Sequence, residues 1–118
     1  MRDVSEEREL LMFVYAAFNR RDIEPILARM HPEVEWPNGM EGGWVHGRDG
    51  VRAYWTRQWG MVDPHVEPVG IDATADGRTV VNVHQLVRDL EGTVLMDRMV
   101  QHLYSIGDGL IERMEIRE

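Results

Sequence analysis

A chain of 118 residues, 43% apolar and 29% charged, is one globular domain's worth of core, which excludes a multidomain machine. Thirteen basic against 21 acidic residues, a net charge of -8 with the acids spread along the chain, argue against a nucleic-acid or anionic-membrane partner. Cysteine is absent and every basic residue is arginine, which removes disulfides, zinc–thiolate sites, thiol nucleophiles and lysine Schiff bases.

The opening segment, Met1 to Glu7, is too acidic for a signal or transit peptide, and the longest apolar run, Leu10 to Phe18, is nine residues. The expectation is a cytoplasmic protein without a membrane span. From Ser5 to Asn19 the residues Leu10, Leu11, Val14, Ala17 and Phe18 recur on one helical face, with acidic residues at the entry and Arg20 and Arg21 at the exit. Asp22 reads as the N-cap of a second helix carrying Ile23, Ile26, Leu27 and Met30, ended by His31-Pro32. Val34 to Pro37 reads as a short strand, Asn38 to Gly43 as a Gly-rich loop, and Trp44 to His46 as a brief extended piece. A third helix begins near Gly47 to Asp49, carries Val51, Tyr54, Trp55, Gln58 and Trp59 on one side, and stops at Gly60.

Four β-rich segments follow, Val66 to Thr74, Thr79 to Asp89, Thr93 to Ile106 and Leu110 to Arg117, with Asp76-Gly77, Glu91-Gly92 and Gly107-Asp108-Gly109 as turns. The expected fold class is therefore α+β, three N-terminal helices packed on one face of a curved antiparallel sheet.

Both faces of the second and third of these strands carry apolar residues. The chain's helices can cover only one face, so a second copy is expected on the other, giving a homodimer through the outer sheet face. The alternative is a solvated face with scattered apolar residues. The face bearing Asn82, His84 and Leu86 mixes apolar and hydrogen-bonding groups, the composition of a ligand pocket. A two-residue loop at Glu91-Gly92 pairs positions summing to 183, setting His84 opposite Met99 and Asn82 opposite Gln101. A three-residue loop brings His102 to that face instead. In the last strand Leu110, Met114 and Ile116 point inward.

The chain resembles the nuclear transport factor 2-like superfamily, specifically its SnoaL-like group, with the ketosteroid isomerases, limonene epoxide hydrolases and polyketide cyclases as relatives. The likeness spans residues 1–118 as a single SnoaL-like domain. It is carried by Ala16 to Asp22, His31 to Trp36, His46 to Trp55 and Asp108 to Ile111. The resemblance implies a cone-shaped barrel, or cystatin-like roll, with a deep apolar pocket and frequent dimerisation. Catalytic positions transfer poorly. The isomerases' base falls at Trp36, their oxyanion-holding acid at Gln101, their oxyanion tyrosine near Val14 with Tyr15 one step off the helical face. The carboxylate of the hydrolases and cyclases falls at Ile116, and the hydrolases' Arg-x-Asp pair at Asn82-Val83-His84. The cyclases' pocket histidine matches His102.

Read by chemistry, His84 is the candidate general base or acid, because imidazole titrates near neutrality. Gln101, Asn82 and Tyr54 are candidates to polarise a carbonyl oxygen. Trp36, Tyr54, Trp55, Gln58, Trp59, Asn82, Leu86, Met99, Met114 and Ile116 are the expected ligand-binding wall. The histidines His31, His46, His65, His84 and His102 are too scattered to predict a metal site, no phosphate loop follows a strand, and no cofactor is expected. Two functions remain open. One is a cofactor-free isomerase, cyclase or lyase acting on a carbonyl-containing hydrophobic metabolite; the other is a non-catalytic module that binds such a molecule. With the family carboxylates missing, enzyme status is undecided.

Overall fold

The computed structural model describes residues 5–117. In chain order it contains α1 (Ser5–Asn19), α2 (Ile23–Leu27), β1 (Met30–Pro37), β2 (Trp44–His46), α3 (Gly47–Trp59), β3 (Val62–Ala73), β4 (Thr79–Asp89), β5 (Val94–Gly107) and β6 (Leu110–Arg117). The strands form one curved, open sheet in the order β2-β1-β6-β5-β4-β3. All pairings are antiparallel except β1 with β6, so the sheet is mixed and extends the expected meander by two strands. The α+β class and three helices on a curved sheet hold.

The second helix is shorter than its sequence suggests. Met30 leaves the helical stripe and starts β1, which runs through Pro32, because tertiary bonds claim this segment. Ile111 N–H of β6 donates to Arg29 O at 2.8 Å, and the Arg48 guanidinium donates twice to Met30 O, at 2.9 and 2.6 Å. Arg48 can reach there because α3 enters through Gly47 at φ +74°, where a Cβ would lie 3.3 Å from Pro32 O.

Three bulges shape the antiparallel ladders, and the parallel β1–β6 pair shifts register between Met30 and Glu35. Val69 is the extra residue in β3, Leu95 in β5 and Glu112 in β6. β3 lies at the sheet's edge, which accommodates Pro64 and Pro68. The β5–β6 hairpin turns at Asp108-Gly109, both at positive φ, as a two-residue primed turn requires. The β4–β5 hairpin closes with a three-residue loop, Leu90 to Gly92, between Asp89 and Thr93, whose backbones bond at 2.8 Å. The bulge at Leu95 then restores the pairing that sums to 183, so His84 faces Met99 and Asn82 faces Gln101.

The core lies between the helices and one sheet face. Leu11, Val14 and Tyr15 of α1 and Val51, Tyr54 and Trp55 of α3 pack over Val34, Val81, Val83, Val100 and Met114. Asn19, at the end of α1, clamps the edge strand by donating to Val66 O at 2.8 Å and accepting from Val66 N–H at 3.0 Å. Replacing Asn19 by Ala removes both bonds and leaves the Val66 amide without them. Denaturant titration should show a loss of about 1–3 kcal/mol.

Candidate functional site

The inner face of β4 is its odd-numbered side. Val81 and Val83 are buried there, and Gln85 and Val87 continue the row toward the open end. Because the register sums to an odd number, the inward residues of β5 are even-numbered: Met96, Arg98, Val100, His102 and Tyr104. These strands and β6, with Met114 and Ile116, floor a cavity of about 310 Å³, within the range of small-molecule sites. α1 contributes Val14, Tyr15 and Phe18, and α3 contributes Tyr54, Trp55 and Gln58.

The wall is aromatic and interlocked. Trp36 meets Trp55 edge-on at 5.4 Å, Phe18 meets Trp55 at 5.3 Å, and Tyr104 tilts against Trp36 at 6.3 Å. Among the described lining residues none is a carboxylate, and Arg98 is the one permanently charged side chain, its Nε donating to Gln85 Oε1 at 3.3 Å. Tyr54 stands at the loop side, its hydroxyl oxygen accepting the Gly39 amide at 3.0 Å. Burial raises the pKa of the Tyr54 hydroxyl, so it remains a neutral phenol.

His102 is the imidazole of this cavity and is only 6% exposed. Its Nδ1 lies 2.7 Å from the Tyr15 hydroxyl, and the Tyr104 hydroxyl donates to Tyr15 at 2.8 Å. Burial pushes the imidazole down to about 4, so it is neutral at physiological pH. The same burial pushes both phenols well above their ordinary value, so they stay protonated.

Several residues expected at the pocket lie elsewhere. His84, Asn82, Leu86, Met99 and Gln101 occupy the outer face, the opposite side from the helices. His84 Nε2 is 2.5 Å from Asp97 Oδ1, Gln101 Nε2 donates to Asn82 Oδ1 at 2.9 Å, and Met99 is 55% exposed. The pairing that sums to 183 holds, though by a three-residue loop and a bulge and not by a two-residue loop, and the pocket face is the opposite one: the more apolar odd side of β4 goes under the helices, because burying it costs less than burying Asn82 and His84. Trp59 also leaves the cavity wall. It stacks on Trp55 at 5.9 Å under the Arg21 guanidinium, and its indole N–H has no partner among the described residues.

Trp36, Tyr54, Trp55, Gln58, Met114 and Ile116 do line the cavity. The polar lining residues outside the expected wall include Tyr15, Tyr104, Arg98 and Gln85. With the inner face known, parity finds three of them, since Gln85 shares the odd side of β4 with Val81 and Val83, and Arg98 and Tyr104 share the even side of β5 with His102. A second depression, of about 590 Å³, sits beside Glu6, Glu9, Arg29 and Asp108, away from the aromatic wall. Among the described residues no cluster of three metal-ligating side chains occurs, and no helix is long and apolar enough to cross a membrane.

This pairing of an aromatic cavity, without a carboxylate among its described lining residues, with a curved sheet and three helices defines a small-molecule-pocket protein of the α+β roll type. The family model of the SnoaL-like domain matches residues 13–114, and the chain belongs to that family. Similar solved structures include TerC, co-crystallised with polyporic acid. It is 33% identical with a TM-score of 0.82, over 95% of this chain and 90% of that one. A nuclear transport factor 2-like protein of unknown function from Burkholderia pseudomallei is 26% identical, with a TM-score of 0.82 over 96% of this chain and 90% of that one. SalBIII, an epoxide hydrolase/cyclase-like enzyme of pyran ring formation in salinomycin, is 17% identical. Its TM-score is 0.81 over 99% of this chain and 93% of that one, and it shares the fold. Among curated proteins none matches the chain.

The depressed pKa of His102 has a measurable consequence. The unfolded chain takes up this proton near pH 6.5, the folded chain only near pH 4, so the stability is full above pH 6.5 and is lost as acid is added. Between about pH 7.5 and pH 4.5 the native protein should lose roughly 2–3 kcal/mol more than a His102→Gln variant, in which this proton is absent. Urea midpoints at the two pH values measure the difference.

Proposed function

We propose that the chain is a cofactor-free acid/base enzyme of the cyclase, isomerase or lyase type, acting on a carbonyl-containing hydrophobic metabolite in the aromatic cavity. His102, not His84, takes the position at the reacting oxygen. The observation that carries this reading is the buried, neutral imidazole beside Tyr104, Met114 and Ile116, where water competes little for a hydrogen bond to developing charge. Gln58, Gln85, Arg98 and Tyr54 supply polar contacts for the rest of the molecule. Trp36, Trp55 and Phe18 hold a flat apolar body. The SnoaL-like family membership and the ligand seen in TerC support a small molecule as the occupant.

The absence of a carboxylate among the described lining residues favours a second reading, a non-catalytic binding module. Mass spectrometry of molecules extracted from the purified protein, backed by a thermal-shift screen of hydrophobic ketones, lactones and epoxides, identifies ligands, because a molecule binding only the folded state raises its melting point. With a convertible ligand in hand, His102→Gln should keep binding within about tenfold while turnover falls by about 100-fold or more. A His84→Gln variant should turn over like the native protein. Binding without conversion in every variant establishes the module instead.

A second copy of the chain is the proposed cover of the outer sheet face. There the polar groups pair among themselves, His84 with Asp97 and Gln101 with Asn82, and leave exposed Met99 between them as an apolar contact. Sedimentation at micromolar concentration should give a dimer for the native chain and a monomer for Met99→Glu. A monomeric native chain removes the proposal.

A further inference from the structure

The hydroxyl hydrogens of the buried Tyr104–Tyr15–His102 chain can run in two directions, and only one satisfies them all. In the first, Tyr104 donates to Tyr15, Tyr15 donates to His102 Nδ1, and the imidazole proton sits on Nε2. In the second, His102 Nδ1–H donates to Tyr15 and Tyr15 donates to Tyr104. The Tyr104 hydroxyl hydrogen then has no acceptor among the described residues, although Tyr104 is 1% exposed. A buried donor without an acceptor is the costlier arrangement, because its lost hydration is never replaced. The first direction also leaves one hydrogen for the cavity, that on Nε2, which has no protein partner among the described residues.

We propose that Tyr15 and Tyr104 are positioning residues that fix His102 as the Nε2–H tautomer, so the cavity floor offers a neutral hydrogen-bond donor and selects ligands bearing an oxygen acceptor, a carbonyl or the oxygen of an enolate. This rests on the aromatic cavity being the ligand site, and it assigns that site a proton location and a ligand class. The surroundings agree: Trp36, Met114 and Ile116 supply no competing acceptor, and no carboxylate is among the described lining residues to take the Nε2 proton. With the imidazole neutral, the donor persists from weakly acidic to alkaline pH.

Two measurements test the assignment. The first is nitrogen NMR of protein labelled at the histidine rings, with the His102 signals assigned by their loss in His102→Gln. At neutral pH, Nε2 should show the protonated shift and Nδ1 the unprotonated, hydrogen-bonded one. In Tyr15→Phe the Nδ1 signal should move as its donor is lost, and in Tyr104→Phe it should move less, in the same sense. The second compares binding of 2-acetylnaphthalene with that of 2-isopropenylnaphthalene, its near-isostere lacking the oxygen, by quenching of tryptophan fluorescence. The native protein should favour the ketone by about three- to tenfold, and Tyr15→Phe should narrow that ratio. A proton found on Nδ1 overturns the assignment, as do His102 signals and a binding ratio unchanged in Tyr15→Phe. If neither probe binds, the cavity reading fails, and the NMR result still decides the tautomer.

Discussion

The pairing of β4 with β5 decides which side chains meet under the helices. Once Val81 lies opposite His102 and Val83 opposite Val100, every second residue on both strands is committed to the inner face, and the alternation carries Arg98, Tyr104 and Gln85 with it. β6 follows, because His102 pairs with Ile116 and Tyr104 with Met114. The helices then have little freedom. Tyr15 must sit where its hydroxyl meets His102 and Tyr104, and Asn19, four residues on, reaches the backbone of the edge strand. The cavity floor, its imidazole and its aromatic wall all descend from one register.

The cavity contrasts with the charge of the whole chain. A molecule with a net charge of -8 keeps carboxylates off the described part of this wall and displays them outside, several of them in pairs with arginine or histidine. Glu24 with Arg52, Asp76 with Arg78 and Glu35 with Arg113 are such pairs. They are exposed or half-exposed, where ion pairs contribute little to stability and chiefly keep the surface wet. Inside, desolvation governs instead: it keeps His102 unprotonated and the phenols of Tyr15 and Tyr104 un-ionised. The proposed function draws on this, because neutral donors such as His102 and Tyr54 in an aromatic box suit ligands whose oxygen becomes more negative as they react.

The helices were legible because their signal is local. Leu10, Leu11, Val14 and Ala17 mark α1, and their burial follows from their spacing. The end of α2 was not, because Met30 is claimed by an arginine eighteen residues away and by a parallel strand from the far end of the chain. The strands and the β4–β5 register could be read from alternation and turn residues. The inner face could not be read that way with Val80 and Leu86 on one side and Val81, Val83 and Val87 on the other. A mixed polar and apolar face has the composition of a pocket, yet in the open Gln101 satisfies Asn82, and His84 pairs with Asp97. His102, in contrast, needed two tyrosines distant in sequence to make its burial tolerable, and nothing local announces such a partnership.

The extra residue at Leu95 separates the rim of the cavity from its floor. It absorbs the mismatch between a three-residue loop and the ladder beneath, so a change in length at the hairpin tip can be taken up there without sliding His102 off its partners. Leu95 and Met96 stand together on the cavity wall because of that irregularity. Descendants of this chain are thus free to widen, narrow or re-line the entrance, while the Tyr104–Tyr15–His102 chain below is inherited intact.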